Sequence, residues 1–213
     1  MRPLDMLDNC TGAAAIAGTV LLSPLLRRAY ARWGASDEEL AEALPGDELI
    51  PDATLHSTRA ITIDGAPSAV WPWLVQLGQG RGGLYSYQGL ENLAGCRIEN
   101  TDHILPEHQQ LAVGDPIRMG PAGYPWFRVA ALAREQHLVL RACDPKTGAP
   151  GGMSWVFVLR ATPRGCRLLV RGRMHIGAGP GEFLVWRVFT DPIWFVMERR
   201  MLLGLRERAE SRA

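Results

Sequence analysis

The chain has 213 residues, 47% of them hydrophobic and 21% charged, which suits one globular domain with an extension and excludes a low-complexity or disordered polymer. A net charge of +1 supplies no field for nucleic acid. Four widely spaced cysteines with no CxxC pair exclude a zinc framework and read as reduced thiols of a cytoplasmic protein.

The first 50 residues form an N-terminal helical extension, and residues 51–213 form the main domain. Residues 10–26 (CTGAAAIAGTVLLSPLL) carry no charge and are followed by Arg27, Arg28 and Arg32. The run is short for a bilayer span and is interrupted by Pro24. Two readings stay open: a membrane-associated segment, with the arginines holding the domain on the cytoplasmic side, or a helix packed on that domain. Ser36 followed by Glu39 is the pattern of a helix capping box.

Residues 56–63 (HSTRAITI) alternate as a strand, with Arg59, Ile61 and Ile63 on one face. Pro67 opens a helix running to Gly78, whose apolar face is Val70, Trp73, Leu74 and Leu77. Gly78, Gly80 and Gly83 satisfy G-x-G-x-x-G formally. A helix precedes them and no βαβ unit surrounds them, so they read as a tight helix-to-helix turn rather than a nucleotide loop. Arg81 at its tip is either solvated or able to greet an anionic headgroup. A second short helix covers residues 86–93.

Strands follow at 116–119, 126–132, 137–142, 153–161 and 166–175, joined by short turns rich in Gly, Pro and Asp, which makes them antiparallel neighbours. In the last, Leu168, Val170 and Met174 oppose Arg167, Arg171, Arg173 and His175, giving one greasy and one wet side. A final helix is predicted from Asp191, as N-cap, to about Ala209. Its stripe is Ile193, Val196, Met197, Met201, Gly204 and Leu205, with Glu198 off it. The fold class is α+β: a curved antiparallel sheet wrapped on a long C-terminal helix, with two short helices after the first strand.

That order, together with residues 71–95 (WPWLVQLGQGRGGLYSYQGLENLAG), DHILPE at 102–107 and MERRMLLGLRERAE near the end, resembles the START/SRPBCC superfamily of helix-grip proteins, in a largely uncharacterised bacterial branch. The resemblance covers residues 56 to 210 and implies an internal cavity. The branch usually reads YSYDWLENL in the second helix. Here Gln88 stands for the acid and Gly89 for the tryptophan, which implies a differently shaped pocket.

The ligand-binding set expected from this resemblance is Trp73, Tyr85, Tyr87, Trp126, Trp155, Phe157, Trp194 and Met197. Glu91 and Asn92 would orient a polar end. Each aromatic has the simpler reading of core filler. Glu91, with Asp102 as a second candidate, is the residue for acid–base chemistry, its pKa raised if it faces an apolar cavity; an exposed glutamate or one paired with Arg81 or Arg97 is the alternative. No metal site and no cofactor are implied.

The function expected is binding or transport of a hydrophobic small molecule: a lipid, isoprenoid, quinone or polyketide. The enzymatic alternative is a cofactor-independent cyclase or dehydratase acting on a polyketide-type substrate. An adaptor using the wet face of the sheet is a third class, although its Arg167, Arg171 and Arg173 row reads more simply as a solvated strand face.

Overall fold

A computed structural model describes residues 3–177 and 179–211. Its elements in chain order are α1 (Pro3–Leu21), α2 (Ser23–Ala31), α3 (Asp37–Ala41), β1 (Leu55–Ile63), α4 (Pro67–Val75), α5 (Gln88–Leu93), β2 (Pro116–Arg118), β3 (Trp126–Ala133), β4 (His137–Cys143), β5 (Pro150–Thr162), β6 (Gly165–Met174), α6 (Pro180–Val185) and α7 (Asp191–Glu210). The strands form one antiparallel sheet in the order β1-β6-β5-β4-β3-β2. The four strands from β3 to β6 follow one another through short turns, while β1 closes the far edge by pairing along β6. Helix α7 lies across the concave face, so the α+β helix-grip arrangement holds.

The core fills the space between α7, α4 and the sheet. Ile63, Leu74, Phe157, Leu168, Leu202 and Leu205 are among the residues fully removed from water there. At Gly204 the helix passes so near the Tyr85 carbonyl that a Cβ would sit 2.4 Å from its oxygen, so any side chain there would push α7 off the domain.

The other face of the sheet is not wet. Leu44 and Leu49 pack on Ala60, Val139, Val156, Val158 and Leu169 to make a second, smaller core. The arginine row expected to be solvated is instead a set of clamps holding residues 34–51. Arg167 donates to Glu39 at 2.8 Å and to the Gly34 carbonyl at 2.6 Å. Arg171 donates to Asp47 at 2.7 Å and to the Glu39 and Glu42 carbonyls, and Arg173 to the carbonyls of Ile50 and Pro51. The planar guanidinium, with donors on three nitrogens, can hold several chain segments at once. Ser36 and Glu39 form the predicted capping box at the start of α3.

No described helix is long and apolar enough to cross a membrane. From Leu7 onward, α1 and α2 together have the length and apolar composition of a span, but the two are bent by 111°. Helix α1 packs on the domain: Asp8 pairs with Arg200 at 3.4 Å, Asn9 Oδ1 accepts from the Gly89 N–H at 3.1 Å, and Gly12 lies against the Tyr87 ring. Gly89, where the related pattern carries tryptophan, has no room for a side chain because Asn9 occupies that space. The leucines of the α1–α2 bend, Leu21, Leu22, Leu25 and Leu26, remain exposed.

The last helix begins earlier than its sequence indicates. The chain is helical from Pro180, passes through a π-turn at Trp186–Thr190, and continues into α7. Asp191 is therefore no N-cap: its N–H is already bonded to the Trp186 carbonyl. Its carboxylate instead receives the Tyr30 hydroxyl at 3.2 Å and faces Arg27 at 3.4 Å. Burial and the neighbouring Asp191 carboxylate push the Tyr30 phenol up to about 12.

Arg59 sits with its apolar strand-mates Ile61 and Ile63 at the sheet–helix interface and is wholly buried. Its Nη1 donates to Glu198 at 2.5 Å and its Nε to the Tyr30 carbonyl at 2.9 Å. Glu198, expected off the apolar stripe, is buried because this partner waits beneath it, while Ile193 from the expected stripe is 39% exposed. Arg59→Met should destabilise the domain by about 3–5 kcal/mol in urea unfolding, because Glu198 is left buried and unpaired. Arg59→Met combined with Glu198→Gln, which removes the buried charge and keeps an oxygen for the two indole N–H groups, should recover part of that loss.

Candidate functional site

Between α7, α5 and the middle of the sheet lies a cavity of about 50 Å³, lined by Leu84, Ser86, Glu91, Met119, Trp155, Trp194, Met197, Glu198 and Met201. That volume admits a few water-sized groups and not a whole lipid or polyketide. Its walls are apolar apart from the serine and two carboxyl groups. Three of those wall residues are methionines, whose flexible thioethers adapt readily to an occupant.

The chain reaches this site through two local devices. Gly78 and Gly83 exchange backbone hydrogen bonds at 2.9 and 3.1 Å, closing the glycine turn after α4. Gly78, Gly80 and Gly83 all adopt positive φ, which only glycine does without strain. Arg81 neither waves in solvent nor points to a ligand. Its Nη2 folds back onto the carbonyls of Val75 and His108 at 2.8 and 3.3 Å. Next, Asn100 Oδ1 accepts the N–H groups of Leu84 and Tyr85 at 2.9 and 2.7 Å, holding Tyr85 at its unusual φ of 55°. Ser86 Oγ then donates to the Met197 carbonyl at 2.9 Å, fastening the start of α5 to α7.

Glu91 is 6% exposed, and its Oε2 has no hydrogen-bond partner although no solvent reaches it. Neither Arg81 nor Arg97 pairs with it. Burial alone pushes its carboxyl up to about 7. Glu198 across the cavity stands in the opposite situation. Its Oε2 faces Arg59, and its Oε1 accepts the indole N–H groups of Trp155 at 2.7 Å and Trp194 at 3.1 Å. One acid is fully partnered and fixed. Burial favours the protonated form of the other, and its Oε2 has no partner, so it can donate to, or accept from, a molecule placed in the cavity it lines.

Of the residues singled out from sequence, Glu91, Trp155, Trp194 and Met197 converge on this cavity. Trp73, Tyr85 and Phe157 fill the core: Trp73 and Tyr85 meet edge to face at 5.9 Å, and the Tyr85 hydroxyl donates to the Trp73 carbonyl. Burial raises the Tyr85 phenol. Tyr87 is taken up by Gly12 of α1. Trp126 lies at the far strands, under Arg128 at 5.2 Å. Asn92 is exposed and points away, its amide closing the loop to Ile98 with bonds of 2.9 and 2.6 Å. Asp102 is exposed beside His103 at 3.1 Å. That placement leaves it with the fully solvated carboxylates, and the His103 contact lowers its pKa.

Sequence reasoning missed Leu84, Ser86, Met119, Glu198 and Met201 at the cavity. Glu198 left one signal, an arginine on the apolar face of β1 that needs a buried acid. Gln76 was also missed: wholly buried, it binds the backbone of His103 and Leu105 at 3.1 and 2.9 Å and so sets the DHILPE segment. Among the described residues no group of three or more His, Cys, Asp or Glu side chains is arranged to hold a metal ion.

No family model and no curated protein matches this chain. Several solved structures resemble it at low identity. Protein MLL2253 from Mesorhizobium loti is 15% identical over 70% of this chain and 98% of that one, with a TM-score of 0.38. The Aha1 dimer from Colwellia psychrerythraea is 16% identical over 74% and 97%, with a TM-score of 0.42. The di-domain ARO/CYC StfQ of the steffimycin biosynthetic pathway is 13% identical over 78% of this chain and 54% of that one, with a TM-score of 0.43. At these values no activity passes from them to this chain.

Because the Glu91 pKa is raised, the native state holds this proton more tightly than the unfolded chain. The resulting stability is complete below the ordinary value of 4.5 and is lost as pH rises through about 7. Urea unfolding between pH 5 and pH 8 should show a decline on the order of 3 kcal/mol that Glu91→Gln abolishes. An equal decline in the variant would assign it to other groups.

Proposed function

We propose that this chain is a START/SRPBCC-type binding protein for a small hydrophobic molecule that carries one polar oxygen. The observation behind this reading is Glu91: a carboxyl group with an unpartnered oxygen, buried in a cavity otherwise walled by Trp, Met and Leu. Leaving a buried polar group unmatched costs about 1–3 kcal/mol, and a ligand oxygen at hydrogen-bond distance removes that cost. Apolar contact with Trp155, Met197 and Met201 supplies the rest of the affinity at about 25 cal/mol per Å² of buried surface, less the costs of association. Lipid, isoprenoid, quinone and polyketide fragments all present this combination of an apolar body and an oxygen.

A second reading has one observation in its favour. A carboxyl group titrating near pH 7 is suited to moving protons under ordinary conditions, so a cofactor-independent cyclase or dehydratase acting on a polyketide-type substrate would use Glu91 as its acid–base group. In such an enzyme Glu91→Gln abolishes turnover while leaving binding within a few fold.

Native mass spectrometry of gently purified protein, followed by organic extraction, tests the binding reading. A hydrophobic compound held by the wild type should dissociate at least about tenfold more readily from Glu91→Leu, about 1.4 kcal/mol. Equal retention by a folded Glu91→Leu variant would remove Glu91 from the site.

A further inference from the structure

A second cavity, of about 40 Å³, lies on the other side of Trp194. It sits between the paired ends of β1 and β6 and the turn leading into α7, and its lining includes Leu55, Ser57, Met153, Met174, Trp186 and Asp191. Trp194 is the one residue that lines both cavities. On α7 the acids to either side of it divide between them: Asp191, one turn earlier, faces this cavity, and Glu198, one turn later, faces the cavity of Glu91. Arg59 reaches both from below, with Nη1 at 2.5 Å from Glu198 and Nη2 at 3.9 Å from Asp191. Trp194 is thus common to the walls of both cavities, with the Arg59 guanidinium set between the acids that face them.

That indole packs on the edge of the main core and has a single hydrogen-bond partner. It donates one hydrogen bond, 3.1 Å, to Glu198 Oε1, and rests edge-on against Trp155 at 5.3 Å. When it leaves, Glu198 loses no essential partner, because Trp155 still donates to Oε1 and Arg59 still faces Oε2. No buried acceptor is orphaned by the movement, so its cost lies in the apolar contacts that the indole gives up. The helix just before Trp194 contains the π-turn, a local break in the regular backbone ladder, and Ile193 beside it is exposed. Trp155 is placed differently: it is 2% exposed and enclosed by Phe127, Phe157 and Trp194.

We infer that Trp194 is a movable partition, and that with the indole swung aside the two cavities form one channel from Glu91 to the sheet ends beside Trp186. The channel takes an elongated apolar molecule with an oxygen at one end, of the class of long-chain alcohols and ketones. The oxygen meets Glu91 and the chain passes the Trp194 position toward Met153 and Met174. This inference rests on the binding role of Glu91 and adds the length of the ligand and the residue that limits it.

Three forms of the full chain test it: wild type, Trp194→Ala, and Trp194→Met, which keeps apolar bulk should the alanine variant fold poorly. Calorimetric titration with dodecan-1-ol measures the size limit. Dodecan-1-ol should bind either variant at least about tenfold more tightly than the wild type. Unchanged dodecan-1-ol affinity in both folded variants overturns the partition. Crystals of the variants under xenon pressure give a readout that needs no ligand: xenon running continuously from Met153 to Glu91 supports the channel, and two separate sites or a collapsed wall overturn it. If adding Glu91→Leu to Trp194→Ala leaves dodecan-1-ol affinity unchanged, the Glu91 reading fails while the xenon result still decides the partition.

Discussion

The contact between Arg59 and Glu198 governs the rest of this molecule. An arginine and a glutamate fully removed from water are tolerable as a pair when most of their remaining donors and acceptors are also met. Here that recruits the Tyr30 carbonyl from α2 and the indoles of Trp155 and Trp194 from β5 and α7, while Arg59 Nη2 faces Asp191 at 3.9 Å without a hydrogen bond. Four parts of the chain are thereby fixed to one point. The rotation of α7 about its axis follows: with Glu198 turned inward, Met197 and Met201 turn toward the cavity and Ile193 toward water.

The sheet is covered on both sides by different physics. On the concave side apolar packing dominates. On the convex side three arginines of β6 bind backbone carbonyls and carboxylates of residues 34–51, beside a small cluster of Leu44, Val139, Val156 and Leu169. The N-terminal segment is accordingly a layer of the structure. Its first helix fits because Gly12 and Gly89 carry no side chains where α1, Tyr87 and α5 meet. A tryptophan at position 89 and α1 in its present place are mutually exclusive.

Within the cavity two glutamates a short distance apart in space have environments that separate their roles. Glu198 has every oxygen engaged and acts as a fixed point. Glu91 has an idle oxygen and a pKa raised by burial. Divergent environments of this kind are how one site holds a structural acid and a reactive or ligand-facing one. The methionines between them give the walls compliance.

Most of the elements were legible in the sequence, because each is set by neighbours along the chain; the helical stretch from Pro180 was not. Alternation marked β1, β5 and β6, Ser36 and Glu39 marked a helix start, and short Gly/Pro/Asp turns forced antiparallel pairing. Glu91 and Trp155 were also legible as site candidates, since the helix-grip order places them toward α7. What the sequence left open was decided by contacts between residues far apart in it. The polar periodicity of Arg167, Arg171 and Arg173 reads as a wet face until residues 34–51 lie upon it. Glu198 reads as solvent-facing until Arg59, 139 positions earlier, is brought beneath it. Asn92 reads as a ligand contact until its amide is seen closing the Ile98 loop. Local pattern reports how a residue is spaced, and burial depends on what the fold sets opposite it. Tertiary structure alone therefore decided which polar side chains became anchors and which one, Glu91, was left facing an empty space.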